Sequence, residues 1–432
     1  MTKILSNKSS VSLDYPICRP SLNLDFTQEV LDERITFSRG SIGTRVNRNR
    51  LIETVSANTP RFDYDPVTGE CKGLLIEESR QNLLLQSNGF DTASWSKNSV
   101  THIPNSIISP DGTTTAYKSV ENTTTNLHRT SQIVSKSAVA TTYTFSIFVK
   151  SGERNGFEFG MGDASGYIDC FANLTTGTFT GVPVVNGSWI LVSYGSVSYP
   201  NGWYRFYVSS TTTAQTSVLP FFGTTRSLGV ANVYTGDGTS GIYIWGAQLE
   251  TGAFPTTYIP TVASTVTRSA DTATMTGTNF SSWYNQTEGT IYTNNRIPYT
   301  PNPNVSLFFT ITNLSPFSRH SVEQTTANGL SYFNQNGSGI QGWSTSGSGV
   351  LPANTNRKTT YSYSSSNNTT LLSGTSNETY NFSQKSRTDV NKSMTGLYFG
   401  VFINILYLNG TIARFTYYPR ALKPNQLQYL TQ

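Results

Sequence analysis

Charge is what this chain has least of. Asp, Glu, Lys and Arg make up 13% of its 432 residues, about half the usual share of a soluble domain. The 30 basic residues exceed the 25 acidic ones by five, but they are scattered. A nucleic-acid groove needs a clustered basic stripe, so no such partner is expected. Cysteine is also scarce: Cys18, Cys71 and Cys170 are odd in number and far apart, which gives neither a disulfide framework nor a zinc spacing. They are expected to be small buried apolar residues in a protein made in a reducing cytoplasm. No stretch approaches the roughly 18 apolar residues of a membrane span. The opening MTKILSNKSSVSLDYPIC lacks the apolar core of a signal peptide, so neither membrane insertion nor signal-directed export is expected.

Thr, Ser, Asn and Gly fill the gap, together with 23 Phe, 24 Tyr and 6 Trp. So much aromatic surface excludes disorder of the whole chain. Hydroxylated strands with frequent turns suit antiparallel β-sandwiches, so the fold class is expected to be all-β.

Taken in order, residues 1–85 read as an extended module. Within it Phe62 and Tyr64, then Asp65-Pro66-Val67-Thr68-Gly69, then Leu74-Leu75-Ile76, predict a β-hairpin: Pro presets one φ and Gly permits another. Residues 86–265 read as one sandwich. Thr141 to Lys150 alternates, with Tyr143, Phe145, Ile147 and Val149 on one face and Phe148 as the exception. Gly241 to Glu250 is apolar on both faces, as a central covered strand would be. Ala263 to Ala273 reads as a polar hinge, and residues 266–432 as a second sandwich. There Ser306 to Leu314 and Leu397 to Tyr407 are expected strands, Asn409-Gly410 a hairpin turn, and Pro424 to Leu430 a short helix. Around Trp343 to Asn377 long loops or shallow outer strands are expected.

Several pieces carry a resemblance: RITFSRGSIGTRVN, RFDYDPVTGECKGLLIEESRQNLLLQSN, PNGWYRFYV, YTGDGTSGIYIWGAQLETGAFPTTYIPT, TRSADTATMTGTNFSSWYNQTEGTIY and IARFTYYPRALKPNQLQYL. In this order the chain resembles bacteriophage tail-fibre, head-fibre or spike proteins over roughly residues 30–295 and the last 20. The resemblance implies an N-terminal module, with a β-hairpin, that attaches to other virion proteins. It implies a jelly-roll, carbohydrate-binding-like domain over 86–265 and a laminin-G or concanavalin-like sandwich over 266–432. It also implies a homotrimer on the virion surface that adsorbs to a host-surface polysaccharide, and a structural calcium shared by the first and last strands of the jelly roll, with Asp91 and Glu250 as candidate ligands.

No residue pattern marks a catalyst. His102, His128 and His320 lack metal-ligand spacing and are expected exposed or hydrogen-bonded. Glu77, Glu78, Asp91, Asp163, Asp237, Glu250 and Asp271 show no spacing that argues for a glycosidase pair, so the chain is expected not to be an enzyme. A head-decoration protein without glycan affinity and a polysaccharide depolymerase are the alternatives. Sugar rings need exposed aromatics for stacking and polar neighbours for their hydroxyls. Trp203, Trp245 and Trp283 lie in apolar segments and are expected in cores. Tyr167, Trp189, Tyr194, Tyr234, Tyr332, Trp343, Tyr361 and Tyr363 have polar or small neighbours and are the candidate glycan contacts.

Overall fold

The structure is a computed structural model. It describes residues 18–229, 233–299, 306–313, 318–324, 330–336, 339–344, 354, 356–364, 369–376, 378–386, 393–402 and 406–431. Antiparallel sheets dominate it, paired into two sandwiches.

The first sandwich stacks a six-stranded sheet, centred on Thr142–Ser151 and Gly241–Thr251, on an eight-stranded sheet built around Gly156–Asp163 and Ser217–Thr225. Between them lie Phe145, Ile147 and Val149 from one sheet and Phe157, Phe159 and Phe222 from the other, all fully buried. Phe148, the residue out of phase, points to the opposite face and packs with Trp203, Trp245 and Tyr258. That sheet is therefore covered on both sides. Gly241–Thr251 accordingly runs apolar in both registers.

The second sandwich pairs an eight-stranded and a seven-stranded sheet around Ile291, Phe309, Ile311, Phe415 and Tyr417. The helix Pro424–Thr431 closes its end, as the proline predicts.

The N-terminal stretch is not a separate module. Leu22–Asp25 pairs with Gly410–Tyr418, and Thr36–Ser38 pairs with Thr272–Thr276. The predicted hairpin is present as Phe62–Tyr64 and Cys71–Ile76; Asp65 Oδ1 accepts from the Val67 and Thr68 amides, and Gly69 has φ +75°. Its second arm also pairs with Gly410–Tyr418. Leu22, Leu24 and Phe26 thereby enter the core of the second sandwich, while the hairpin Gly43–Val46 and Ile52–Val55 lies on the first, with Ile52 against Trp203 and Trp245. An arm whose apolar residues cannot make a core of their own completes the core of the second sandwich and covers the outer face of the first.

Other expectations change too. The polar hinge contains a ladder, Val266–Arg268 on Arg80–Asn82, with Arg268 and Asp271 buried. Leu397 to Tyr407 is not one strand: it breaks at Gly400, which has φ +62°, into Gly396–Phe399 and the short pair Val401–Phe402 and Leu406–Tyr407. Asn409-Gly410 therefore links strands of different sheets rather than turning a hairpin. The region around Trp343 to Asn377 contributes strands, including Asn356–Ser364 within the eight-stranded sheet.

A buried charge network ties these parts together. Asp271 pairs with Arg39 (3.0 Å) and Arg61, and Glu77 pairs with Arg61 (2.8 Å) and lies 3.6 Å from Arg268. Burial opposes ionisation of Glu77. The nearby Arg268 and Arg61 charges and the Thr257 hydrogen bonds outweigh it and hold the carboxyl at about 2. Removing one partner of such a group leaves buried guanidinium charge uncompensated, at a cost of about 3–5 kcal/mol. Asp271→Ala is therefore expected to lower unfolding free energy by that amount, read as a shifted urea midpoint; a shift under about 1 kcal/mol would show that water reaches the network.

Candidate glycan-binding surface

The outward face of the eight-stranded sheet in the first sandwich gathers the most unusual group of side chains. It follows from strict alternation. Along Gly156–Asp163, Phe157, Phe159 and Met161 enter the core, so Glu158, Gly160 and Gly162 face out. Along Gly166–Asn173, Ile168, Cys170 and Ala172 enter, so Tyr167, Asp169 and Phe171 face out. Register then fixes the neighbours. Arg129 and Glu158 each pair with Gly223, from opposite sides, and Asp169 and Phe221 each pair with Gly160.

The glycines permit this arrangement. A Cβ on Gly223 would stand 2.3 Å from the His128 carbonyl oxygen and 3.1 Å from Arg129 Cγ; one on Gly160 would stand 2.9 Å from Phe221 Cζ. With nothing there, the Arg129 side chain crosses the middle strand. It donates from Nε and Nη2 to both Glu158 oxygens, the first at 2.9 Å, in the bidentate geometry that suits a guanidinium. Its Cζ lies 4.7 Å from the centre of the Phe221 ring.

Asp169 completes the group. Only 4% exposed, it receives one long bond, 3.5 Å from Arg129 Nη2 to Oδ2, while Oδ1 accepts none. Burial, then the adjacent Glu158 charge and the hydrogen bond between the two carboxyls, push its titration far above the carboxylate range, with Arg129 opposing. Protonation of Asp169 reconciles its one long hydrogen bond with its burial. Beyond it on the same strand stands Tyr167, 41% exposed, beside the exposed Val184 and Asn186 of the neighbouring strand. The surface thus offers a ring and a partly exposed guanidinium, with the Asp169 carboxyl buried beside the latter.

Of the eight aromatics singled out from sequence, Tyr167 alone lies on this face among the described residues. Tyr194 is 37% exposed but belongs to the other sheet and packs edge-on against Phe179 at 4.9 Å. Trp189 is buried in the first core. Tyr234 is buried and donates to Glu121 at 2.7 Å. Tyr361 and Tyr363 are inside the second core, the latter donating to the Asn285 carbonyl. The side chains of Tyr332 and Trp343 lie outside the described residues. The buried four mislead because their hydroxyl-rich neighbours are buried as well: Ser362 beside Tyr361 is 2% exposed and hydrogen-bonds Thr290. Trp203, Trp245 and Trp283 are core residues as expected.

The histidines are buried and hydrogen-bonded, His102 to Thr130, His128 to the Ser99 carbonyl and His320 to Tyr361. The expected calcium ligands do not fit a cation. Glu250 is fully buried, with its oxygens occupied by Thr256 N, Thr256 Oγ1 and Gln248 Nε2, and Asp91 accepts from the Tyr117 hydroxyl. Among the described residues no three His, Cys, Asp or Glu gather as a metal site.

No family model matches the chain, and no curated protein does. Solved structures with similar sandwiches include the CBM40 module of the Ruminococcus gnavus IT-sialidase bound to α2,3-sialyllactose. That match is 12% identical, covers 35% of this chain and 86% of that one, and has a TM-score of 0.29. The LG1-3 region of the laminin α2 chain is 10% identical over 70% of this chain and 66% of its own, with a TM-score of 0.26. The mouse laminin α1 domains LG4-5 are 9% identical over 84% and 96%, with a TM-score of 0.23.

The protonated carboxyl has a thermodynamic consequence. Unfolded Asp169 would titrate at about 3.9, whereas the folded chain holds the proton to much higher pH. Folding therefore binds a proton above about pH 4, and the stability this group contributes falls as pH rises from there. Asp169→Asn, which keeps a donor without titrating, is expected to flatten that decline in urea midpoints measured from pH 5 to 9. Parallel profiles for the two proteins would refute the assignment.

Proposed function

We propose that this chain is a non-catalytic fibre or spike protein of a bacteriophage virion, adsorbing to a host-surface glycan through the outward face of its first sandwich. One observation carries the binding reading: an exposed ring, Tyr167, shares a sheet face with the partly exposed Arg129 guanidinium, so a sugar's C–H face can stack while its hydroxyls accept from the cation. The ordered motif series from RITFSRGSIGTRVN to IARFTYYPRALKPNQLQYL supports the virion assignment. Residues from Leu22 onward are committed to the sandwiches, so attachment to other virion proteins falls to the residues before them.

Geometry also supports binding without cleavage. Glu158 and Asp169 are both held by Arg129 Nη2 and almost wholly buried, so neither is placed to attack a sugar or activate a water as a glycosidase pair must. Single sites of this shallow kind are weak, and a homotrimer would multiply them by avidity.

Tyr167→Ala is expected to reduce binding of labelled protein to host cells at least tenfold, and Tyr167→Phe much less, because stacking needs the ring. Periodate treatment of the cells should abolish binding by the unaltered protein. Release of oligosaccharides from purified envelope, or undiminished binding by Tyr167→Ala, would count against the reading. Light scattering is expected to give about three times 47.4 kDa; a monomer at micromolar concentration would remove the trimer.

A further inference from the structure

A second feature lies apart from that face, where the outer side of the six-stranded sheet meets the N-terminal hairpins and the edge of the second sandwich. They enclose a cleft of about 280 Å³, close to the lower end of the roughly 300–1,000 Å³ typical of small-ligand sites. Arg205, on the strand Trp203–Thr211, lines it. The residue is 5% exposed, and its guanidinium rests over Phe148 at 5.3 Å. Nη1 donates to the Thr256 carbonyl at 2.8 Å and Nη2 to Ser146 Oγ at 2.9 Å, but Nε has no acceptor.

The surrounding charges leave Arg205 alone. Arg45 pairs with Glu53, Lys72 with Asp63, Arg296 with Asp65 and Glu70, and Glu77 belongs to the buried network. Among the described residues no carboxylate pairs with Arg205. Two tyrosines share the cleft, Tyr199 and Tyr299, and among the described residues neither hydroxyl has a hydrogen-bond partner. Burial pushes Tyr199 up to about 12 and Tyr299 well above the ordinary phenol value, with Arg205 opposing in both, so both are neutral donors at physiological pH. A buried cation with only neutral acceptors is costly, and that cost is recovered when an anion is supplied.

We propose that this cleft is an anion subsite that takes the charged substituent, carboxylate or phosphate, of an acidic saccharide, with Arg205 Nε and the Tyr199 and Tyr299 hydroxyls as donors. The saccharide rests on the glycan reading above; the anion does not. A neutral sugar can give Nε a hydroxyl oxygen but leaves the buried guanidinium charge uncompensated, so the subsite selects for charge. The donors come from two sandwiches, Tyr199 and Arg205 from the first and Tyr299 from the start of the second, so occupancy also braces one against the other.

Calorimetry on the full chain tests this with trigalacturonate, galactose 6-phosphate and a neutral galactose trimer. One of the two acidic ligands is expected to bind at least tenfold more tightly than the neutral trimer, and the tighter of the two identifies the substituent. Arg205→Gln, which keeps a donor for Thr256 without the charge, should reduce that affinity to the neutral level. The Tyr199→Phe and Tyr299→Phe pair, which leaves the packing intact, should weaken it severalfold and covers the case in which Arg205→Gln does not fold. Equal affinity for acidic and neutral ligands, or a preference that survives both variants, overturns the proposal. Inorganic phosphate provides the independent arm. An Arg205-dependent rise in melting temperature upholds the anion site even if no saccharide binds, while saccharide binding blocked by Tyr167→Ala but indifferent to Arg205 leaves the surface reading standing and removes this one.

Discussion

Three guanidiniums and two carboxyls, all almost wholly removed from water, hold this molecule in one arrangement. Arg39, Arg61 and Arg268 face Glu77 and Asp271, and backbone carbonyls satisfy many remaining donors: Arg39 reaches Thr59 and Ser56, Arg61 reaches Thr44, and Arg268 reaches Glu78. Such a cluster is a poor source of raw stability, because desolvation consumes most of the Coulomb energy. It is a strict geometric requirement, because any other docking of these segments would strand a charge. Thr257, which donates to Glu77 from its amide and hydroxyl, adjoins Thr256 and Tyr258 on the rim of the cleft. The placement of Arg205 relative to the second sandwich therefore depends on ion pairs that never touch it.

Much of the all-β architecture was legible, for a physical reason. Local turn chemistry at Asp65-Pro66 and Gly69, period-2 alternation over Thr142–Ser151 and the proline opening the last helix act within a few residues, and each is found where the pattern puts it. What failed was exposure. Polar neighbours do not mark solvent here, because the strands bury hydroxyls in pairs, Thr144 with Ser209 and Thr290 with Ser362. A tyrosine among threonines is then covered with its neighbours, as Tyr361 and Tyr363 are.

The binding surface was only partly legible. Tyr167 could be picked out from its own neighbourhood. Arg129, Glu158 and Asp169 could not, because their union depends on which strands lie side by side and on the empty place that Gly223 leaves between two of them. A retrospective signal exists in Phe157-Glu158-Phe159-Gly160-Met161-Gly162, where one charge and two glycines occupy the outward register of an otherwise apolar strand. The arm is hidden for the same reason: it looks independent in sequence, but its strands pair with distant strands of the second sandwich and its hairpin packs on the outer face of the first.

The strand Leu22–Asp25 lies against Gly410–Tyr418, with Asn23 bonded to Thr416 across 393 residues. All the strands of the first sandwich, by contrast, come from one contiguous block between Ser96 and Thr251. During synthesis that block can collapse while the polypeptide is still tethered to the ribosome, but Leu22–Asp25 must wait for its partner until Gly410–Tyr418 has been made. Until then the nascent chain carries a strand with its backbone donors and acceptors unmatched, the kind of template on which neighbouring polypeptides of one polysome can pair.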